Sequence, residues 1–291
     1  MIEIHDAKDP RIGVFLNQKD AWLKAGHNPT NNRDADASEP KAPAEGVFIA
    51  EGVLVVEQLI RSRFPVQSVL VTMNRAKNIA AVLDQVPQSE DQFVPIYCAS
   101  QEVIDEIVGF PMHRGLLACG RRLPNPDPIE LAKDCRALVV MEDLSNHDNV
   151  GSVFRSVAAM GGKGVGVLMT KRCCDPLYRK ALRVSMGHVL NVPFAEVDDL
   201  ESAMGVLGGL GFTSIAFTPD NGSLTVGESL KQGGGKLKKP MLMFGAEGPG
   251  LSDGVKRAAD ECVRIEMTKD VDSLNIAVSA AVGIHRYINP A

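Results

Sequence analysis

Three polar islands in the second half of the chain carry residue types that hold ligands: Asn149-Val150-Gly151-Ser152-Val153-Phe154-Arg155, Phe244-Gly245-Ala246-Glu247-Gly248-Pro249-Gly250-Leu251, and Ser273-Leu274-Asn275-Ile276. Each lies where a hydrophobic strand ends or a helix begins, which in an open α/β sheet is where ligands bind. Asn149 is placed to cap a helix whose apolar face is Val150, Val153, Phe154 and Val157, with Gly161-Gly162 as its stop. Arg155, one turn in and off that face, suits a phosphate of a bound nucleotide near a terminus that favours anions, or else is a surface arginine in a capped helix. The glycines at 245, 248 and 250 admit a ligand to the backbone. Glu247 between them can hydrogen-bond a hydroxyl or an amine, or cap the helix that starts near Ser252. Ser273 is placed to cap a helix opening at Asn275, with Leu274 wedged between strand and helix.

Other chemistries lose support. The glycine spacing is G-x-x-G-x-G, not the dinucleotide fingerprint G-x-G-x-x-G, and residues 233–237 lack the spacing and the Ser/Thr of a phosphate-binding P-loop. There is no H-E-x-x-H and no G-x-S-x-G, and the six histidines show no metal-ligand spacing, so no metal is expected; His147 reads as a bystander. The six cysteines contain no C-x-x-C and read as core thiols in a reducing compartment, Cys173-Cys174 being the pair open to redox chemistry.

The elements that must position the islands follow from the hydrophobic pattern. Short apolar strands over 137–141, 164–169, 213–217, 241–244 and 262–267 alternate with helix-length segments, which means a mostly parallel sheet covered on both faces. The last helix, from Asn275, is apolar around most of its circumference, which fits a subunit interface as well as an intramolecular site. Upstream, residues 46–123 form a small α/β domain, with helices over 53–61, 76–84 and 101–108 and strands over 68–72, 94–98 and 115–119. Prolines 124, 126 and 128 mark a linker over 124–134. Residues 1–45 are an opening segment ending in a polar, proline-rich loop over 25–45, and 135–291 are the second domain.

With 291 residues and 45% hydrophobic content the chain can bury a two-domain core. It has neither an apolar run of ~18 residues nor a signal-like start, so a soluble cytoplasmic protein with no membrane partner is expected. A net charge of −5 argues against coating nucleic acid non-specifically, yet a local basic run stands at Lys171, Arg172, Arg179, Lys180 and Arg183, against Asp175 alone.

As an ordered set, N-x-G-x-x-x-R, F-G-x-E-G-x-G-L and S-L-N opening a final helix, the islands resemble the SpoU family of RNA 2′-O-ribose methyltransferases across residues 135 to 290. Arg183-Val184-Ser185-Met186-Gly187 with Pro193 matches a further family pattern, and Phe48-Ile49-Ala50-Glu51-Gly52 and residues 111–118 resemble the ends of the family's small RNA-binding domain.

The resemblance implies an α/β fold threaded into a deep trefoil knot, an exception to the rule that chains stay unknotted. It implies an S-adenosylmethionine site at Gly245, Ile265 and Leu274, mainly through backbone, and a homodimer through the last helix. It implies methyl transfer to a ribose 2′-hydroxyl of structured RNA, ribosomal rather than transfer RNA. Arg155 is central in the family to removing the hydroxyl proton, but a guanidinium with a pKa above about 12 is a poor base. Our reading is that Arg155 holds the phosphate and the developing alkoxide, while Asn149, Glu247, Ser273 and Asn275 position the ribose and Lys171 to Arg183 contact RNA. The alternatives are a non-catalytic RNA-binding or ribosome-assembly protein that keeps the fold, and an unrelated small-molecule enzyme.

Overall fold

A computed structural model describes residues 1–16, 19–24, 46–88, 93–109, 115–232, 237–268 and 270–288. The proline-rich loop over 25–45 and the glycine turn at 233–235 lie outside the described residues, as do 111–114. The chain divides into two compact units, Met1–Pro124 with Leu177–Asn191, and Asn125–Pro176 with Val192–Ala291.

In the first unit a five-stranded mixed sheet has the order β1 (Ile2–Ile4), β4 (Ile96–Ala99), β3 (Val66–Thr72), β5 (Leu116–Arg121), β2 (Val47–Glu51). β4 runs parallel to β1 and β3, and β5 antiparallel to β3 and β2. Helices α1 (Asp20–Lys24), α2 (Val53–Ile60), α3 (Met73–Ala76), α4 (Ala80–Leu83) and α5 (Gln101–Val108) complete it, with α8 (Arg179–Val184) from the later insertion. The single helix expected over 76–84 is broken by a turn at Lys77 to Ile79. Helix α5 forms as its sequence dictates: the Ser100 hydroxyl accepts from the Val103 N–H, Ile104, Ile107 and Val108 face the core, and Gly109 closes it in the left-handed region. Residues 177–191, which sequence order keeps with the second half, pack into this unit: Gly187 abuts Gln58, and Arg179 pairs with Asp20.

The second unit is a seven-stranded, wholly parallel sheet ordered β10 (Leu224–Thr225), β12 (Glu261–Arg264), β9 (Thr213–Phe217), β11 (Pro240–Phe244), β6 (Ala137–Met141), β7 (Val165–Thr170), β8 (Phe194–Val197). Every residue of β6 and β11 is buried, as the continuous apolar runs require. One face carries α6 (Pro128–Lys133), α9 (Leu200–Gly209) and α11 (Asp253–Ala258), through a core including Leu138, Val140, Leu168, Leu207, Met241 and Met243. The stretch expected as linker therefore holds a helix. The Asp127 carboxylate caps it by accepting from Ile129 and Glu130 N–H groups at 2.8 and 2.9 Å, Pro128 sits in its first turn, and Ala132 is fully buried. Helix α10 (Val226–Gln232) follows β10.

The remaining helices, α7 (His147–Ser156) and α12 (Ile276–Tyr287), pack against each other, α7 continuing into a single π-helical turn over Val157–Gly161. Helix α12 lies on β11, where Gly283 lets it approach the stacked rings of Phe217 and Phe244, 4.6 Å apart. A Cβ at Gly283 would stand 2.8 Å from the Phe217 ring. It buries Ala280, Gly283, Ile284 and Tyr287 and leaves Val278 49% exposed, so its apolar circumference is only partly covered. The Arg136 guanidinium fastens the far ends of both helices by donating to the carbonyls of Gly161, Lys163 and, at 3.1 Å, Ile288. Among the described residues no helix is long and apolar enough to cross a membrane.

Candidate functional site

The carboxyl ends of β9, β11 and β12 lead into one cleft of about 440 Å³. It is lined by Phe217 to Pro219 beyond β9, by the glycine turn after β11, by Ile265 and Met267 beyond β12, and by Ser273 to Ile276 with Ser279 at the start of α12. That volume lies within the range of small-molecule and cofactor sites, ~300–1,000 Å³.

The turn closes on itself. The Gly250 N–H donates to the Ala246 carbonyl at 3.0 Å, and Gly245 lies so close to the far side that a Cβ on it would meet Gly250 C and Leu251 N at 2.1 Å. The resulting loop carries Glu247 outward to two amides brought by the paired helices. Asn149 Nδ2 donates to Glu247 Oε1 at 2.6 Å, and Asn275 Nδ2 donates to Asn149 Oδ1 at 3.1 Å and to Glu247 Oε1 at 3.5 Å. Residues 98 and 126 positions apart in the chain thus form one polar triad, with Asn149 only 5% exposed. A buried amide is retained at such a place because its bonds are satisfied.

Two capping expectations are corrected. Asn149 is not the N-cap of α7: Asn146 takes that position, its Oδ1 accepting from Asp148 N–H at 2.9 Å, which leaves the Asn149 side chain for Glu247. Nor does Ser273 cap α12. Asn275 does, its Oδ1 accepting from Ala277 N–H at 2.9 Å while its Nδ2 serves the triad; Ser273 lines the cleft. Ser252 caps α11, so Glu247 has no capping duty.

Gly245, Ile265 and Leu274 all line the cleft, Ile265 lying just past the end of β12, not within a strand reaching 267. Arg155 is exposed on α7, and its side chain makes no hydrogen bond or ion pair among the described residues. The basic run is divided between the two units. Lys171 pairs with Asp198 at 2.8 Å and Arg172 with Asp143 in the second unit, whereas Arg179 pairs with Asp20 and Arg183 with Glu51, at 3.2 and 3.6 Å, in the first; Lys180 is also in the first. Its acid Asp175 is buried. No group of metal-ligating side chains occurs among the described residues.

Sequence reasoning passed over Phe217 to Pro219 and Met267 as lining residues; their position at or beyond the carboxyl ends of parallel strands was the available signal.

A parallel sheet with a ligand-sized cleft over its strand ends, closed by a glycine turn and a helix N-terminus, defines an α/β ligand-binding domain. Residues 136–285 match the model of the SpoU rRNA Methylase family. An uncharacterized tRNA/rRNA methyltransferase of Mycobacterium bovis is 34% identical over 283 residues, covering 97% of this chain and 90% of the relative. Among solved structures, an AdoMet-bound rRNA methyltransferase from Sinorhizobium meliloti has a TM-score of 0.72 at 18% identity, covering 98% of this chain and 96% of that one. An RNA 2′-O ribose methyltransferase has a TM-score of 0.67 at 21% identity, covering 98% and 97%. At those identities the structural likeness is one of fold. The chain belongs to the SpoU family of RNA methyltransferases.

Proposed function

We propose that the cleft holds S-adenosylmethionine and that the protein transfers a methyl group to a ribose 2′-hydroxyl of structured RNA, ribosomal RNA before transfer RNA. The observation that carries this reading is the triad of Asn149, Glu247 and Asn275 at the rim of a cleft lined by Gly245, Ile265 and Leu274. The cleft suits the cofactor chemically: Phe217, Ile265, Met267 and Leu274 offer apolar surface to a base, and the glycine turn exposes backbone groups for polar contacts. When bound, S-adenosylmethionine supplies an electrophilic methyl on a sulfonium.

The chain's own residues do the rest. Methyl transfer needs the attacking oxygen in line, so fixing it is worth much of the rate. Asn149 and Asn275 hold Glu247, and this set with Ser273 orients the ribose. Arg155, free of protein partners among the described residues, holds the adjoining phosphate and stabilises the oxygen as it loses its proton. The first unit contributes RNA contacts, with Lys171 and Arg172 on the second, their surface ion pairs being weak enough to exchange for phosphate. The chain path through the cleft is a trefoil knot, and the partly uncovered apolar side of α12 is the homodimer contact.

Calorimetry with S-adenosylmethionine, followed by single-turnover methylation of ribosomal RNA, tests the reading. Arg155→Ala should keep cofactor affinity and lose on the order of 10² to 10³ in rate. Absence of cofactor binding by the intact protein would end the proposal, and full methylation by Arg155→Ala would end the role given to that residue.

A further inference from the structure

Glu142 is a carboxylate at the end of β6 that is only 8% exposed and pairs with no lysine or arginine among the described residues. A buried carboxylate is costly unless it is bonded, so where its bonds go is informative. Its backbone N–H donates to the Phe244 carbonyl at 2.9 Å, at the start of the glycine turn. Its Oε2 accepts from the Ser252 N–H at 2.8 Å, at the end of that turn. One residue therefore ties both ends of the loop that carries Glu247, at the neck where Gly245 meets Gly250 and Leu251. The same residue begins the segment that runs to Asn149. Glu247 and Asn149, which meet at 2.6 Å, are both rooted at Glu142.

We propose that Glu142 is a positioning residue of the methyl-transfer site: its bond to Ser252 closes the glycine turn and so holds Glu247 in register with Asn149 and Asn275. The inference rests on the cleft being the site proposed above. Glu142 is not among the residues that line the cleft, so it acts through the turn. A shift of about an ångström in a positioned group costs up to ~10² in rate, which sets the scale of its effect.

The test compares Glu142→Ala, Glu142→Gln and, as a control for stability alone, Asp199→Ala, which removes the cap of α9. S-adenosylmethionine affinity is measured calorimetrically without RNA, thermal stability by melting, and the chemical step by single turnover. Glu142→Ala should bind the cofactor about tenfold more weakly and methylate about 10²-fold more slowly. Glu142→Gln, whose amide oxygen can accept the same N–H, should recover both to within about threefold of wild type. Asp199→Ala should lose stability and keep affinity and rate. Wild-type behaviour of Glu142→Ala would overturn the inference. So would a glutamine variant as impaired as the alanine one, or an Asp199→Ala control that loses as much activity. If the wild type binds no cofactor, the proposed function falls and takes this inference with it; if the wild type binds and Glu142→Ala is indifferent, only this inference falls.

Discussion

Replacing Gly245 by alanine adds one methyl at the tightest place in the cleft. Gly245 does not occupy the left-handed region, so the new side chain strains no dihedral; the whole effect is steric. Its Cβ would stand 2.1 Å from Gly250 C and Leu251 N and 2.3 Å from Gly250 O, all backbone, so no rotamer change relieves it. Ordinary contact begins near 3.4 Å, and the two sides of the turn must part by more than an ångström. Overpacking of this kind costs about 1–3 kcal/mol. Parting the turn also breaks the bond from Gly250 N–H to the Ala246 carbonyl and moves Glu247 away from its amides. Gly248→Ala is the contrasting change: its φ of 90° strains an alanine, yet no atom lies within 4 Å of the new methyl, so the ends of the turn stay together. Left-handed strain there is worth ~1–2 kcal/mol. Urea unfolding measures stability and calorimetry measures S-adenosylmethionine affinity. Gly245→Ala should weaken binding on the order of 10²-fold, since about 1.4 kcal/mol is a factor of ten, with Gly248→Ala well short of that. Affinity of Gly245→Ala within threefold of wild type, or below no more than that of Gly248→Ala, would refute the steric argument.

Asn149→Asp replaces a donor by a second carboxylate where the amide now donates to Glu247 at 2.6 Å, and single-turnover methylation should fall on the order of 10²-fold with the fold retained by circular dichroism. Burial pushes the Cys119 thiol up to about 12 from its ordinary 9.0, so the unfolded chain gives up this proton first. The stabilisation it represents is whole below pH 9 and is lost as pH rises towards 12. In urea unfolding the stability difference between wild type and Cys119→Ala should therefore shift against wild type by up to ~1.4 kcal/mol per pH unit in that window, and a constant difference would contradict it. Replacing Lys171 and Arg172 together by glutamine should lower the salt slope of RNA binding by about 1 to 2 and leave S-adenosylmethionine affinity unchanged, as filter binding at several salt concentrations and calorimetry would show.

The parallel sheet was legible because strands buried on both faces must read as unbroken apolar runs, as 138–141 and 241–244 do. The cleft was legible because the glycine turn 245–250 begins where the run 241–244 stops and the polar segment 273–275 opens a helix. The caps were not. Ser145-Asn146-His147-Asp148-Asn149 offers several capping side chains, and the choice falls to Asn146 because Asn149 has a partner 98 positions away. At α12 the outcome is the reverse: Asn275 caps with its Oδ1 and serves the triad with its Nδ2, so one side chain does both and Ser273 is not the cap. The helix at 128–133 had a local signal, Asp127 before Pro128, that the surrounding prolines masked. The splitting of the basic run between two units had none, since its partners Asp20, Glu51, Asp143 and Asp198 are scattered along the chain.

The two asparagines of the triad arrive at very different moments of synthesis. Asn149 and the turn bearing Glu247 are made before Asn275, and Ser273 to Ile276 form one wall of the cleft. Arg136, near the first residue of the sheet, then waits for the carbonyl of Ile288. A ribosome-bound chain interrupted before residue 273 consequently has an open trough in place of a pocket, since the wall made by Ser273 to Ile276 is not yet there.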